Sequence, residues 1–210
     1  MSEIAVIDYG MGNLRSVAKA LETVAPKAKI SVTAEPAVIQ AASHVLFPGV
    51  GAIRDCMSEL QQRDLLGVIA EVAKQKPFLG ICLGMQAMLS RSAENNGVDG
   101  LGLFAGEVRY FDAAAKAGFK VPHMGWNQVK QSLNHPLWQD IPDESRFYFV
   151  HSYYVDPVNT TEVAGETTYH EAFASAMARE NVFAAQFHPE KSQQAGLQLL
   201  NNFVQWDGQS

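Results

Sequence analysis

The stretch "PFLGICLGMQAML" (residues 77–89) decides how the rest of the chain reads. The segment "KPFLGI" (76–81) has the length and apolar content of a buried strand, and "GMQAMLSRSAE" (84–94) has a helical pattern. Between them Cys82 stands two residues from Gly80 and two from Gly84. Glycine-x-nucleophile-x-glycine between a strand and a helix is the pattern of a nucleophile elbow, in which the turn strains the central residue and the glycines leave room where a Cβ would clash. A helix starting near Leu83 aims its first amides and the positive end of its dipole at the sulfur, which favours thiolate. It also offers the Leu83 N–H as a donor to an oxyanion. By itself the pattern is only moderately specific, because a free cysteine is more often a small buried hydrophobe. That plainer reading is the expectation for Cys56, which lies in a helical pattern without flanking glycines.

Upstream of the elbow, strand and helix signals alternate. "EIAVID" (3–8), "KISVT" (29–33) and "SHVLFP" (43–48) read as strands. "NLRSVAKALETVA" (13–25) carries apolar residues at helical spacing, with Asn13 placed as its cap and Pro26 as its stop. Residues 52–75 read as helix broken near Arg63 and Asp64. Alternation of this kind predicts an α/β fold with a mostly parallel central sheet covered by helices on both faces. Downstream, "EVRYF", "WNQVK", "RFYFVHSYYV", "EVAGETTYH", "FASAMARE" and "VFAAQF" are strand-like with little helix between them, and antiparallel additions to the sheet are expected there. "SQQAGLQLLNNFVQW" (192–206) reads as a closing helix with Ser192 as its cap.

A reactive thiolate needs a base, and the base an orienting group. Of the six histidines, His188 in "AAQFHPEKS" (184–192) is the best placed, because it follows an apolar strand, where the functional groups of open parallel sheets gather. In extended backbone, residues i and i+2 point the same way. Glu190 is therefore expected to hold one imidazole nitrogen while the other faces Cys82, with Pro189 keeping the segment out of helix. A second oxyanion donor is expected from "FPGVGA" (47–52), where Gly49 and Gly51 flank Val50 and permit close backbone approach, so that Val50 or Gly51 presents an N–H across from Leu83.

Other features point away from other classes. The 210 residues suit one domain, and a chain of this length folds without a metal or a disulfide. Its net charge of −6 is dispersed, with no basic cluster to bind nucleic acid. No apolar run approaches the ~18 residues of a membrane helix. Residues 1–10 lack the basic start of a signal peptide, so a cytosolic, reducing location is expected. "DYGMGN" (8–13) fails the dinucleotide fingerprint, because Arg15 stands where a third glycine is required, and is read as a tight turn. No metal-ligand spacing is present. "FYFVHSYY" (147–154) reads more readily as core strand than as a ligand platform, and Trp126 as core or a partner contact.

"GICLGMQ", "QFHPEKS" and "PGVGA" together resemble class I (triad) glutamine amidotransferases. Within that family, "DYGMGNLRSV", "LFPGVGA", "VPHMGWN" and "FYFVHSYY" resemble the glutaminase subunits of imidazole glycerol phosphate synthases, a match running from residue 8 to 192. The resemblance implies one flavodoxin-like amidotransferase domain over residues 1–210. It implies hydrolysis of L-glutamine through a thioester on Cys82, with His188 and Glu190 completing the triad and no cofactor or metal. Gln86, Glu94, Ser152 and Tyr153 would hold the substrate. Asn13, Trp126, Tyr148 and Lys191 would face a separate (β/α)8 cyclase subunit that receives the ammonia in a heterodimer, since no barrel-sized segment follows residue 210. It further implies that partner binding reorients a peptide unit of the "PGVG" loop to complete the oxyanion hole. The alternatives are another triad amidotransferase, such as that of pyridoxal phosphate or anthranilate synthesis, a non-catalytic scaffold subunit, and a stand-alone cysteine hydrolase.

Overall fold

Ile4, Ala5, Val6 and Ile7 form an unbroken apolar run because both faces of their strand are covered. Ile4 and Val6 enter one core and Ala5 and Ile7 the other, with the period of two that a strand imposes. The computed structural model describes residues 3–209. The first half runs β1 (Glu3–Ile7), α1 (Leu14–Val24), β2 (Lys29–Thr33), α2 (Pro36–Ala41), β3 (His44–Gly49), α3 (Ile53–Gln62), α4 (Leu65–Val72), β4 (Phe78–Cys82), α5 (Leu83–Ala87) and β5 (Leu89–Ser92). The second half runs β6 (Val98–Asp99), β7 (Phe104–Tyr110), α6 (Asp112–Lys116), β8 (His123–Gln131), β9 (Ser145–His151), β10 (Tyr153–Pro157), β11 (Val163–Tyr169), β12 (Glu171–Arg179), β13 (Val182–Ala185) and α7 (Gln193–Gln205).

The strands β2, β1, β3, β4 and β13 lie side by side and parallel. The sheet then continues through β12, β10 and β7 in antiparallel pairs. On a branch, β11, β8 and β9 also pair antiparallel. One core lies under α1 and α7, with Val17, Leu21, Leu199 and Phe203. The other lies under α2 to α5, with Ile39, Ile53, Leu60, Ile69 and Met85. The expected fold class is therefore the observed one. Among the described residues no helix is long and apolar enough to cross a membrane.

Several local expectations are corrected. The helix after the elbow does not reach residue 94; it ends at Ala87 and the chain enters β5. The carbonyls that would carry it onward are taken by a returning segment, with Leu101 N–H on Ala87, Gly102 N–H on Leu89 and Gly100 N–H on Ser90. Helix α2 had no periodic signal in its six residues, although Pro36 at its first turn suits a helix start. "RFYFVHSYYV" is two strands, parted at Ser152. Asn13 and Ser192 precede α1 and α7 but make no side-chain cap. Ser192 Oγ instead donates to the His188 carbonyl at 2.6 Å and accepts from the Tyr148 N–H at 2.9 Å, so it braces the segment that carries His188.

Candidate active site

The parallel strands β3, β4 and β13 are neighbours, and the candidate groups leave from their C-terminal ends. Cys82 ends β4 with φ 55° and ψ −110°, a backbone conformation that costs a non-glycine residue about 1–3 kcal/mol and is found at functional turns. The two framing glycines have different reasons to be there. A Cβ on Gly84 would lie 2.0 Å from the Phe47 carbonyl oxygen, a backbone atom. A Cβ on Gly80 would meet first the tip of Met88, a flexible side chain.

His188 follows β13. Its Nδ1 lies 2.8 Å from Glu190 Oε1, and both side chains are almost wholly buried. The expected pairing is present, but the backbone between the two residues is not extended. Residues Pro189–Lys191 form a single 3-10 turn, which proline at its first position favours. The Lys191 N–H closes the turn on the His188 carbonyl at 3.0 Å. His188 Nε2 is buried and without a hydrogen-bond partner among the described residues, and His188 lines the same cleft as Cys82. Burial opposes protonation of His188, but the Cys82 sulfur and the Glu190 carboxylate outweigh it and raise its pKa above the ordinary value. The sulfur exerts this pull without a hydrogen bond of normal geometry to the ring. Glu190 thus favours the protonated form of the imidazole in the cleft that holds Cys82.

The cleft holds about 320 Å³ and is lined by Cys82, Leu83, Val50, Gly51, Gln86, Glu94, Ser152, Tyr153 and His188, with Pro122, Val150 and His151. All four residues expected to hold substrate are in it. Gly49 is not in the lining; it pairs with Cys82 across β3 and β4, and a Cβ there would fall 2.7 Å from the Tyr9 hydroxyl and 2.8 Å from Gly84 N. Gly51 has φ +94°, open to glycine and strained for other residues. The Tyr9 hydroxyl donates to the Pro48 carbonyl at 3.0 Å, so the loop is anchored one residue before Gly49. Glu94 Oε2 accepts from the Ile53 N–H at 3.2 Å, joining the far side of the cleft to the start of α3 just beyond that loop.

The remaining named residues lie outside the cleft. Trp126 and Tyr148 meet edge to face with ring centroids 6.1 Å apart, and Lys191 Nζ sits 5.8 Å from the Tyr148 ring centre. Trp126 is 43% exposed and its strand neighbour Met124 61% exposed, so this is an apolar surface and Trp126 is not core. Asn13 is exposed at the start of α1.

Sequence reasoning missed a polar network behind the cleft. Gln86 Nε2 donates to the Tyr153 carbonyl and to Gln186 Oε1, each at 2.9 Å. Gln186 Nε2 lies 3.7 Å from Cys82 Sγ. His151 Nδ1 donates to the same Tyr153 carbonyl at 2.7 Å, and His151 Nε2 accepts from His123 Nδ1 at 2.9 Å. Asn127 Nδ2 then donates to His123 Nε2 at 3.2 Å. Every bond in this ladder is satisfied with both imidazoles neutral. Burial accordingly pushes His151 down to about 3 and His123 down to about 4. The available signal was a lone glutamine in the apolar run "VFAAQF": a polar group in a strand covered on both faces needs a partner.

A cysteine on a strained turn, an imidazole held by a buried carboxylate and a glycine loop beside the first amides of a helix are brought together in one cleft. The chain belongs to the class-I glutamine amidotransferase family, whose model, Glutamine amidotransferase class-I, matches residues 5–206. Two of its relatives are the Imidazole glycerol phosphate synthase subunit HisH of Nitrosococcus oceani, 61% identical with all of both chains covered, and subunit HisH 1 of Pseudomonas aeruginosa, 57% identical with 99% of each covered. Among solved structures, a glutamine amidotransferase superposes with a TM-score of 0.72 at 13% identity, covering 97% of this chain and 99% of that one. The glutaminase domain of Trypanosoma brucei CTPS with bound acivicin superposes with a TM-score of 0.67 at 17% identity, covering 99% and 95%. At these identities the two structures share the fold.

Proposed function

We propose that this chain is the glutaminase subunit of an imidazole glycerol phosphate synthase, acting as a single domain in the cytoplasm. It hydrolyses L-glutamine to glutamate and ammonia. The Cys82 thiolate attacks the side-chain amide carbon, and the oxyanion is received by the Leu83 N–H and an N–H of the Gly49-Val50-Gly51 loop. His188 takes the thiol proton, gives it to the leaving ammonia and then activates the water that hydrolyses the glutamyl thioester. Glu190 keeps the imidazole in place and stabilises its charge. Gln86, Glu94, Ser152 and Tyr153 hold the amino-acid end of the substrate.

The ammonia passes to a (β/α)8 cyclase subunit bound at the face of Asn13, Trp126, Tyr148 and Lys191, in a heterodimer that forms imidazole glycerol phosphate in histidine biosynthesis. Partner binding turns a peptide of the loop so that its N–H meets the oxyanion. With Pro48 anchored by Tyr9, rotation is confined to the peptides beyond Gly49. A missing oxyanion donor costs about 10²–10³ in rate, enough to keep the lone subunit nearly silent. The observation that carries this reading is Cys82 at positive φ in one cleft with a buried His188–Glu190 pair.

The test is glutamate release by the chain alone, with the cyclase subunit, and with that subunit's nucleotide ligand. Low activity alone and a rise of about 10²-fold or more in the full mixture are expected. High activity alone would mark a free hydrolase. Silence in every mixture with the thiol intact would overturn the reading.

A further inference from the structure

Gln186 lies two residues before His188, and none of its surface reaches solvent. Its neighbours dictate which way its amide points. The Tyr153 carbonyl can only accept, so the Gln86 atom 2.9 Å from it is the NH2 group. The same nitrogen lies 2.9 Å from the Gln186 side chain, which must therefore present its oxygen. That leaves the Gln186 NH2 group turned toward Cys82 Sγ at 3.7 Å, a length suited to a sulfur acceptor. His151 Nδ1 occupies the other lone pair of the Tyr153 carbonyl. A flip of either glutamine would place oxygen against oxygen or nitrogen against nitrogen. A main-chain carbonyl in the cleft wall thus sets the polarity of the group that meets the sulfur.

We infer that Gln186 is a positioning residue for the nucleophile: its side-chain N–H steadies the Cys82 thiolate and, through Gln86, ties the sulfur to the wall that receives glutamine. This rests on Cys82 being the nucleophile. Gln186 acts on the sulfur from the side opposite in chemistry to His188, as a neutral donor that never gives up its proton. A hydrogen bond to an ionised group, when lost, costs about 10- to 100-fold, and the length of this one places it at the lower end.

The experiment compares wild type with Gln186→Met, which keeps the bulk and removes the amide, and Gln186→Glu, which keeps the acceptor for Gln86 and removes the donor. The rate of Cys82 alkylation by iodoacetamide is followed from pH 5 to 10 on the full chain, with peptide mapping to separate Cys82 from Cys56. Glutaminase kcat and KM are then measured with the cyclase subunit present. Both variants are expected to move the alkylation midpoint upward by about one pH unit and to lower kcat about tenfold, with KM within about twofold. Gln186→Glu is expected to show the larger midpoint shift, because it sets a carboxylate beside the sulfur. An unmoved midpoint in either folded variant would overturn the inference, as would a loss confined to KM. Failure of the nucleophile reading would look different: wild-type enzyme alkylated at Cys82 would still release glutamate.

Discussion

The chain has two cysteines, and both are buried and free. Cys56 lies in α3 among Ile53, Leu60 and Ile69, and burial pushes its thiol up to about 12. Cys82 has nearly the same exposure, yet it sits at positive φ with the His188 imidazole and a cleft of about 320 Å³ around it and a glutamine N–H 3.7 Å from its sulfur. Burial alone therefore says nothing about reactivity. The difference lies in what the surrounding chain aims at the sulfur. One thiol lies in an apolar core beside the Tyr9 hydroxyl, and the other ends a strand in a cleft that also holds the His188–Glu190 pair.

The sharpest way to break this contrast is to remove each sulfur in turn. Cys82→Ala is expected to lower glutamate release in the assembled enzyme by about 10⁴-fold or more, whereas Cys56→Ala should leave the rate within about twofold. Comparable losses in the two variants would end the comparison. Next come the groups around Cys82. His188→Asn is expected to cost about 10³-fold in kcat and Glu190→Gln about 10²-fold, because the second retains a base but loses its held orientation and charge. If Glu190→Gln ran at wild-type rate, the buried pair would be structural only.

A backbone test follows. Gly84→Ala places a Cβ 2.0 Å from the Phe47 carbonyl oxygen, so strand β3 or the elbow must shift. A loss of about 3 kcal/mol in urea unfolding is expected, and Gly80→Ala, which presses first on the Met88 tip, should lose clearly less. Equal losses would show that the two glycines frame Cys82 for the same reason.

Acidification probes the neutral ladder behind the cleft. His123, His135 and His151 are held by burial at about 4, 4 and 3, well below their unfolded value of about 6.5. Their contribution is complete above about pH 6.5 and is lost as pH falls toward 4, because the unfolded chain then binds more protons. His188 has a raised pKa; its contribution is complete below about pH 6.5 and is lost as pH rises toward 10, so it hardly offsets the others in the acid range. His44, also lowered by burial, adds to the same trend, and Tm should drop by roughly several degrees between pH 7 and pH 5. His151→Gln should flatten that drop. The smallest expected effect is the stability cost of Cys56→Ala, about 1–2 kcal/mol for a shallow cavity.

Much of this was legible in the sequence, and the exceptions share a cause. The elbow, the glycine loop and His188 with Glu190 are local patterns, each set by a few adjacent residues. The parallel half was readable because its apolar runs and helical periods are long. The early end of α5 was not, because it is decided by residues 100–102, which take its carbonyls. Ser192 failed as a cap for the same reason, since its hydroxyl is claimed by His188 and Tyr148. Gln186, Gln86 and Tyr153 meet only through the fold, at separations of 67 and 100 residues. The side-by-side placement of His188 and Glu190 was expected on the wrong backbone, an extended segment in place of a 3-10 turn.

The position of β13 has a consequence for how the molecule is made. It is the last strand in the chain, yet it lies between β4 and β12 in the middle of the sheet. A growing chain carries Cys82 for about a hundred residues of synthesis before Val182–Ala185 can be inserted and bring in Gln186, His188 and Glu190 behind them. Until those residues are made, Cys82 stands without Gln186, His188 and Glu190 beside it. These residues arrive together with the strand that joins the parallel and antiparallel parts of the sheet, so the surroundings of Cys82 are complete only when the fold is.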